Sequence, residues 1–352
     1  MRISHKAAVI IGAVAMGLTF AASPAFADPP SAPATGDIVG TGSDTTQDVL
    51  NGLSAAYDAT GPAAKLYSWD ATPQPSTITP KSGCASINRP DGSGAGIAAL
   101  NNDTAGCLDF ARSSRPSNAS ETNLKFIPFA KDAVTYAGTS TTTSHVVNGL
   151  SIGDLKDIYL CNKTNWNQFG GADAPIVPIL PNPNSGTRAF FLQQLGGGTA
   201  ISPGACVING FRSGTTTIIQ ENDARELTLA LGSGQSADDA VLPFSVAKFI
   251  WYGRQTPVAD QRGTAAAHSV KDSGGTVVNP INGTVPNESL NTGFTSTTLT
   301  RNVFNVVKLV GGAVPSKFAP IFNRTGYVCS TAGQNVVANY GFGKLPTLQC
   351  GY

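Results

Sequence analysis

Three short loops rich in Gly, Ser and Thr each run directly into a helical pattern. They comprise residues 42–46, 92–96 and 184–188. A helix begins with about four backbone N–H groups that lack intrahelical partners and with about half a positive charge, so it attracts anions. Glycine lets the backbone approach a ligand closely, and small hydroxyls add donors without bulk. These loops therefore predict the binding of one oxyanion on which three helix starts converge.

Each loop alone also has a simpler explanation. Asp44 and Thr45 could be ordinary N-cap residues, which stabilise a helix by about 1 kcal/mol. The Gly/Ser cluster at residues 92–96 could be only a turn. Residues 185–188 could be a capped helix with Arg188 in water. The loops favour a ligand site when they are considered together and in order.

The elements that must position these loops alternate along the chain. Such alternation indicates α/β layers, in which ligands bind at the carboxyl ends of strands. Residues 240–250 are predicted to form a strand and turn, and the polar stretch 254–300 a surface loop and hairpin. We predict helices at 47–59, 97–100, 150–160 and 333–341, and strands at 38–39, 65–69, 108–111, 126–130, 132–137 and 303–310.

The N-terminal residues have the pattern of an export signal. Arg2 and Lys6 precede the apolar run 7–22, and Ala25-Phe26-Ala27 fits a cleavage site. We therefore predict a signal peptide over residues 1–27 and a flexible lead-in over residues 28–36. No Cys lies at the cleavage point to carry a lipid anchor, so the expected product is secreted, extracellular or associated with the cell wall.

All six cysteines follow the predicted cleavage site, and an even number in an oxidising compartment suits three disulfides. Many pairings are possible, although bridges between nearest neighbours would each close one local segment, worth about 3 kcal/mol in the chain-entropy model. Zinc is disfavoured because neither CxxC nor HxxxH pairs accompany them. The nearest-neighbour pairs are Cys84 with Cys107, Cys161 with Cys206, and Cys329 with Cys350.

Charged residues are sparse, at 13% of the chain with a formal net charge of +1. The chain has no basic stripe for nucleic acid and no polybasic segment for a membrane surface. Beyond the predicted signal it has only His145 and His268, and neither is near a GxSxG serine. Triad hydrolysis and histidine-rich metal sites are therefore disfavoured, and we predict a non-enzymatic protein without a cofactor.

Taken in order, the motifs resemble those of the phosphate-binding proteins that serve high-affinity phosphate ABC transporters, in the type 2 periplasmic-binding-protein superfamily. The resemblance covers nearly the whole mature chain. Its motifs are Gly42-Ser43-Asp44-Thr45, Gly92-Ser93-Gly94-Ala95-Gly96-Ile97, Asp109-Phe110-Ala111-Arg112-Ser113-Ser114, Ile127-Pro128, Asp132-Ala133-Val134, Asn165-Trp166-Asn167, Ser185-Gly186-Thr187-Arg188-Ala189-Phe190 and Tyr340-Gly341-Phe342-Gly343.

The resemblance implies an α/β fold of two domains with mixed sheets flanked by helices and two crossover strands. Domain I would comprise residues 37–137 and 242–352, and domain II residues 138–241. The crossovers would lie near residues 135–138 and 241–245. The implied function is capture of inorganic phosphate or a similar oxyanion for uptake, with an ABC permease as partner, and we expect a monomer.

The same resemblance implies a set of ligand contacts. Family members commonly have a carboxylate at the position of Ser114, where it accepts a proton from phosphate, and this chain lacks it. Asp44 could take over as the acceptor, and Arg112, Arg115 or Arg188 could supply a guanidinium that suits a tetrahedral oxyanion. The contacts carried over by motif are Asp44, Thr45, Ser93, Ser114, Ser185, Gly186 and Thr187.

These departures support an alternative. The chain could be a secreted binding or surface-interaction protein on the same scaffold, with another oxyanion ligand or none. The missing lipid anchor and the long polar stretch 254–300 favour that alternative as well.

Overall fold

The computed structural model describes residues 28–72, 76–255 and 262–352. The predicted signal peptide, residues 1–27, lies outside them. The predicted lead-in is held against the body of the protein, because Asp28 forms an ion pair of 2.7 Å with Arg89 and the Pro33 carbonyl accepts a hydrogen bond from the Ser82 N–H.

Helices and strands alternate as the sequence predicts. The helices are α1 (Gln47–Asp58), α2 (Ser93–Asn102), α3 (Ile152–Tyr159), α4 (Gly186–Leu195), α5 (Glu226–Leu229), α6 (Val246–Arg254), α7 (Ala319–Phe322) and α8 (Thr331–Asn339). The longer strands are β1 (Ile38–Gly42), β2 (Leu66–Ser68), β5 (Phe110–Ser113), β6 (Leu124–Thr139), β8 (Val177–Leu180), β10 (Ala240–Ser245), β11 (Ala265–Ala267) and β16 (Thr300–Lys308). The two-residue strands are β3 (Thr77–Ile78), β4 (Ile87–Asn88), β7 (Leu150–Ser151), β9 (Ile208–Asn209), β12 (Val270–Lys271), β13 (Val277–Val278), β14 (Ile281–Asn282) and β15 (Ser289–Leu290).

One mixed sheet runs through the described residues in the order β2-β1-β5-β16-β6-β10-β8-β9, with β11 added on β6. Residues 124–133 of β6 pair with β16, and residues 134–137 pair with β10. We call β2 to β16 with the beginning of β6 the first half of the sheet, and the end of β6 with β10, β8 and β9 the second half. Both crossover segments implied by the resemblance thus lie side by side where the halves meet.

Three of the predicted elements differ from the structure, and the first is the helix predicted at 150–160, whose residues 150–151 form strand β7 before α3 begins. The strands predicted at 126–130 and 132–137 are one continuous strand, β6, because β16 and then β10 satisfy its backbone along the whole length. The turn predicted after residue 245 is instead helix α6, capped by the Ser245 hydroxyl, which accepts a hydrogen bond from the Lys248 N–H. Val246, Ala247, Phe249, Ile250 and Tyr252 of this helix are buried, whereas Trp251 is half-buried.

The polar stretch 254–300, predicted to be a surface loop and hairpin, contains strands that join the sheets and residues that enter the core. Its strand β11 pairs with the end of β6, and β12 pairs in parallel with β7. Val270 and Phe294 are fully buried in the core of the second half. Residues 265–271 therefore pack on the second half, although the sequence-based boundaries assign them to domain I.

Each half has its own apolar core. In the first half, α1, α7 and α8 pack on the sheet through residues such as Leu50, Phe322 and Val337. In the second half, α3 and α4 pack through residues such as Ile158 and Phe191. The loops that follow the strands of each half are therefore supported by the apolar core of that half.

The six cysteines, all within the described residues, form the three nearest-neighbour disulfides, Cys84–Cys107, Cys161–Cys206 and Cys329–Cys350. Each bridge closes a segment within one half. Among the described residues, none of the helices is both long and apolar enough to cross a membrane.

Helix α3 begins with a capping box. The Ser151 hydroxyl accepts a hydrogen bond from the Asp154 N–H at 3.1 Å, and the Asp154 carboxylate accepts one from the Ser151 N–H at 3.0 Å. We expect Ser151→Ala to lower the free energy of unfolding by about 1 kcal/mol. Urea denaturation measures this loss, Ser151→Thr should restore most of it, and an unchanged midpoint for Ser151→Ala would contradict the assignment.

Candidate functional site

The three Gly/Ser/Thr loops meet at the edge of the sheet where parallel strands end. The first follows β1 and forms a short 3-10 helix, Asp44–Thr46, before α1. The second precedes α2, and the third follows β8 and precedes α4. The Gly94 N–H donates to the Asn184 carbonyl at 2.9 Å, so the second and third loops touch directly.

The hydroxyl groups of the first and third loops meet across the two halves. Thr45 Oγ1 lies 3.1 Å from Thr187 Oγ1, and both residues are fully buried. The hydroxyl of Ser185 caps α4 by accepting a hydrogen bond from the Arg188 N–H at 3.0 Å. The structure thus brings Thr45, Ser185 and Thr187 together, as the sequence predicts.

A second group of buried hydroxyls lies beside this point. Ser93 Oγ is 3.3 Å from Ser114 Oγ, and the Ser43 hydroxyl donates to Ser114 Oγ at 3.2 Å. A Cβ atom at Gly186 would overlap both Ser93 Oγ and Ser114 Oγ. Only glycine therefore lets the start of α4 approach these hydroxyls, which places Ser93, Ser114 and Gly186 together.

The donors of the first and third loops are directed at a carboxylate of the protein itself. Glu221 Oε1 accepts hydrogen bonds from the Thr45 N–H at 3.2 Å and the Thr45 hydroxyl at 3.0 Å. Glu221 Oε2 accepts from the Thr187 N–H at 3.2 Å and from the Ser185 hydroxyl through a short contact. Glu221 is only 1% exposed. Its two oxygens thus accept hydrogen bonds from loops of both halves.

The residues on either side of Glu221 hold it in place. The Asn222 side-chain amide donates to Asp44 Oδ1 at 3.1 Å and to Thr45 Oγ1 at 3.0 Å, and its oxygen accepts from the Ser245 N–H at 2.8 Å. Asn222 has a φ of 57°, which Asn tolerates better than most residues. Gln220 donates to Asp91 Oδ2 at 2.9 Å.

Asp44 lies beside these donors as a buried acid. Burial raises its pKa to about 7; the Lys248 ammonium and the Asn222 amide oppose this rise, and the Glu221 carboxylate adds to it. The Asp44 carboxyl group is therefore a weaker acid than an exposed aspartate. Its position next to Thr45 is compatible with the acceptor role that the sequence predicts for it.

Arg112 supports the first loop from beneath. Its guanidinium is fully buried and donates to the carbonyls of Ser43 at 3.0 Å, Gly42 at 3.1 Å and Trp69 at 2.6 Å. Burial lowers its pKa to about 10, against the opposing influence of Asp70 and Asp44. Arg112 thus fixes the backbone that presents Thr45.

Arg115 and Arg188 are directed away from the converging hydroxyls. Arg115 forms a two-pronged ion pair with Glu121, with N–O distances of 3.0 and 2.6 Å. Arg188 donates to the Pro181 carbonyl at 2.8 Å. The structure does not bring these two guanidinium groups to the point where Thr45, Ser185 and Thr187 meet.

A fourth arginine, which the sequence did not single out, reaches that point. Arg301 on β16 donates from Nη2 to Thr187 Oγ1 at 2.9 Å and to Asp132 Oδ2 at 2.8 Å. Its side chain is 1% exposed, and its Nη1 has no hydrogen-bond partner within the described part of the chain. Arg301 therefore places a guanidinium in direct hydrogen-bond contact with one of the converging hydroxyls, that of Thr187.

Neither Glu221 nor Arg301 has a local pattern that marks it. Glu221 stands in a polar run before a very short helix, and Arg301 alternates with Asn302 and Thr300 on a strand. The alternation of buried and half-buried residues at the start of β16 places Arg301 on the inner side, but this alternation is visible only in the structure.

A cleft of about 1200 Å³ opens beside these residues. Carboxylates line it, among them Asp44, Asp70, Asp91 and Glu221, and the aromatic rings of Trp251 and Tyr340 form part of its wall. Lys248 crosses it, with its ammonium 2.6 Å from Asp48 Oδ2. The cleft is far larger than a single phosphate ion needs.

Residues 27–333 match the family model described as the PBP superfamily domain. A search of the curated proteins gave no match. Several solved structures share the fold. One, from Clostridium perfringens, is assigned as a phosphate ABC transporter substrate-binding protein with bound phosphate; it is 19% identical, with 88% of this chain and 100% of that chain covered and a TM-score of 0.56.

Two further structures show the same fold. An ABC-type phosphate transport receptor from Vibrio cholerae is 17% identical, with 88% of this chain and 100% of that chain covered and a TM-score of 0.55. A phosphate-binding protein from Stenotrophomonas maltophilia is 15% identical, with coverages of 88% and 91% and a TM-score of 0.52. The family match over most of the chain, together with the mixed sheet and its flanking helices, shows that this chain belongs to the PBP superfamily and has its type 2 fold.

Proposed function

We propose that this protein is an exported solute-binding protein that captures an oxyanion between the two halves of its sheet. Inorganic phosphate is the first candidate, and an ABC permease is the expected partner. The residues proposed to contact the solute are those of the converging loops, Asp44, Thr45, Ser93, Ser114, Ser185, Gly186 and Thr187, with Arg301 as the cation.

The observation that carries this proposal is the set of donors aimed at Glu221. Two backbone N–H groups at helix starts and two hydroxyls, drawn from both halves, hold an anionic group away from water. Helix N-termini and hydroxyls in this arrangement are suited to any small oxyanion. A tetrahedral anion would add contacts to the neighbouring hydroxyls of Ser93 and Ser114.

The energetics are compatible with useful affinity. Micromolar binding requires about 8 kcal/mol. Hydrogen bonds to a charged group contribute about 1.5–3 kcal/mol each. Four to six such bonds contribute about 6–18 kcal/mol before the cost of ordering, a range that includes the required value.

We propose a binding protein and not an enzyme. His145 forms a 2.7 Å contact with Asp239, and His268 stacks on Tyr136 with a pKa that burial lowers to about 4. Both histidines are therefore engaged in contacts other than those of the converging loops. The loops themselves supply donors for binding an anion.

Ser185→Ala combined with Thr187→Ala is expected to weaken oxyanion binding at least tenfold, which corresponds to about 1.4 kcal/mol. Calorimetric titration of phosphate and, separately, sulfate into protein purified without phosphate measures the effect. Because Glu221 accepts hydrogen bonds from the same donors, the comparison is made in the wild-type and Glu221→Gln backgrounds.

The matched control is Ser185→Thr combined with Thr187→Ser, which keeps both hydroxyls and should retain affinity within about threefold, or about 0.7 kcal/mol. Circular dichroism establishes that each variant is folded. Binding that is unaffected by the double alanine substitution would remove these residues from the site.

The cleft favours one alternative, a secreted binding protein for a larger solute. Its volume of about 1200 Å³ and its many carboxylates do not match a small dianion. A thermal-shift screen across phosphate, sulfate, arsenate and small carboxylates separates the two functions. Stabilisation by phosphate or arsenate supports the first, whereas no response to any tetrahedral oxyanion in either background supports the second.

A further inference from the structure

Glu221 stands where the proposed solute would be held. We propose that Glu221 is a tethered competitor, an anion built into the chain that occupies the oxyanion donors until a free oxyanion displaces it. Glu221 would thereby set the threshold of solute concentration at which the protein becomes loaded. This inference rests on the proposed function and deepens it.

The first support is the completeness of the contacts. The carboxylate accepts one N–H and one hydroxyl from Thr45 in the first half, and the N–H of Thr187 and the hydroxyl of Ser185 in the second half. Every one of these donors belongs to a loop that the sequence marks as oxyanion-binding. A side chain that merely filled space would not satisfy both helix starts at once.

The second support is that the bond network around Glu221 spans the two halves. Gln220 and Asn222 contact Asp91, Asp44 and Thr45, all in the first half, whereas the segment itself packs on the second half through Ile219 and Ala224. Glu221 thus links the halves as a bound solute would. In this arrangement the chain therefore supplies its own anionic group to the oxyanion donors.

The third support is electrostatic. A free oxyanion at these donors would lie against the Glu221 carboxylate, and like charges at such a distance repel strongly when both are buried. Asp44 on the other side adds a further buried acid. The solute and the Glu221 carboxylate therefore exclude one another from the donors.

A tethered group competes with an effective concentration in the millimolar range. A free anion must overcome that competition, so removing the carboxylate is expected to increase its apparent affinity. Glu221→Gln removes the charge and keeps the shape, and Glu221→Ala also frees the space. Comparison of the two variants distinguishes the effect of the Glu221 charge from the effect of the space that its side chain occupies.

Calorimetric titration of inorganic phosphate into the full-length wild-type, Glu221→Gln and Glu221→Ala proteins tests the inference. We expect both variants to bind at least tenfold more tightly than the wild type. Asp223→Asn is the matched control, because it removes the same charge two residues away, where the carboxylate pairs with Arg225. It should change the affinity by less than about threefold.

Each outcome decides the matter. Tighter binding in the Glu221 variants, but not in Asp223→Asn, supports the inference. Equal affinity in the wild type and the folded variants overturns the competitor role but leaves the oxyanion-binding function standing. Weaker binding in the variants also overturns the competitor role, because Glu221 would then contribute to binding of the solute. If neither the wild type nor either variant binds phosphate, sulfate or arsenate, the proposed function fails and the competitor role fails with it.

Discussion

Replacement of Asp132 by Ala is expected to lower the free energy of unfolding by about 3–5 kcal/mol, the largest loss that we predict for a single residue. Asp132 is fully buried on β6 and pairs with the equally buried Arg301 at 2.8 Å. It also accepts hydrogen bonds from the Ser245 hydroxyl at 2.9 Å and the Ala247 N–H at 3.1 Å. Its removal would leave a buried guanidinium without a counter-charge and three donors without an acceptor.

Chemical denaturation monitored by circular dichroism measures this loss. The control is Asp223→Ala, which breaks an ion pair whose arginine side chain is 77% exposed and should cost no more than about 1 kcal/mol. A loss below about 1 kcal/mol for Asp132→Ala would show that the pair contributes little. Because Arg301 also reaches Thr187, the variant should weaken oxyanion binding too.

The second large effect is a fall in stability as the pH rises through the weakly acidic range. Burial raises the pKa of Asp70 to about 7, with Arg112 and the Asn51 amide opposing the rise. Burial likewise raises the pKa of Asp44 to about 7 and that of Asp91 to about 6. In the unfolded chain these acids titrate near 3.9.

The direction follows from proton binding. Between about pH 4 and pH 7 the folded state holds protons that the unfolded state has released, so the folded state loses stability as pH rises through this window. Complete deprotonation of Asp70 lowers the free energy of unfolding by at most about 4 kcal/mol. Below pH 4 both states are protonated, and the contribution is constant.

Asp70→Asn tests this prediction, because the amide keeps an acceptor for Asn51 Nδ2, which donates to Asp70 Oδ1 at 2.7 Å. The variant should be more stable than the wild type at pH 8 and similar to it at pH 4, as measured by urea denaturation. Asp157→Asn, at an accessible position on α3, is the control and should leave the pH profile unchanged. A wild-type stability that rises between pH 5 and pH 8 would contradict the assignment.

The sequence predicted the fold where local chemistry determines structure. The start of α1 after Thr46 and the short-range disulfides depend on residues close together in the chain, and they were found as predicted. The family was identified because its loops retain small residues at close contacts, such as Gly186 against Ser93 and Ser114. The convergence of Thr45 and Thr187 followed from where the strands of the family fold end.

Contacts between distant segments could not be predicted where the residues lie outside the motifs of the family. Glu221 reaches Thr45 across 176 residues, and Arg301 reaches Asp132 across 169. Neither carries a motif, since one carboxylate in a polar run resembles any other. The guanidinium was sought in Arg112, Arg115 and Arg188 because they adjoin recognisable loops, whereas the position of Arg301 depends on the register between β16 and β6.

Strand β6 passes from one half of the sheet into the other, and β10 is hydrogen-bonded beside it where the halves meet, with Phe244 opposite Thr135 and Leu242 opposite Ala137. A single connecting chain would allow the halves to swivel in any direction. A pair of hydrogen-bonded strands resists twisting more than a single chain does, so we expect these two strands to act as a hinge with one preferred axis. If the protein binds an anion as proposed, we expect the cleft to open by separating Thr45 from Thr187 along this path and to close along the same path around the bound anion.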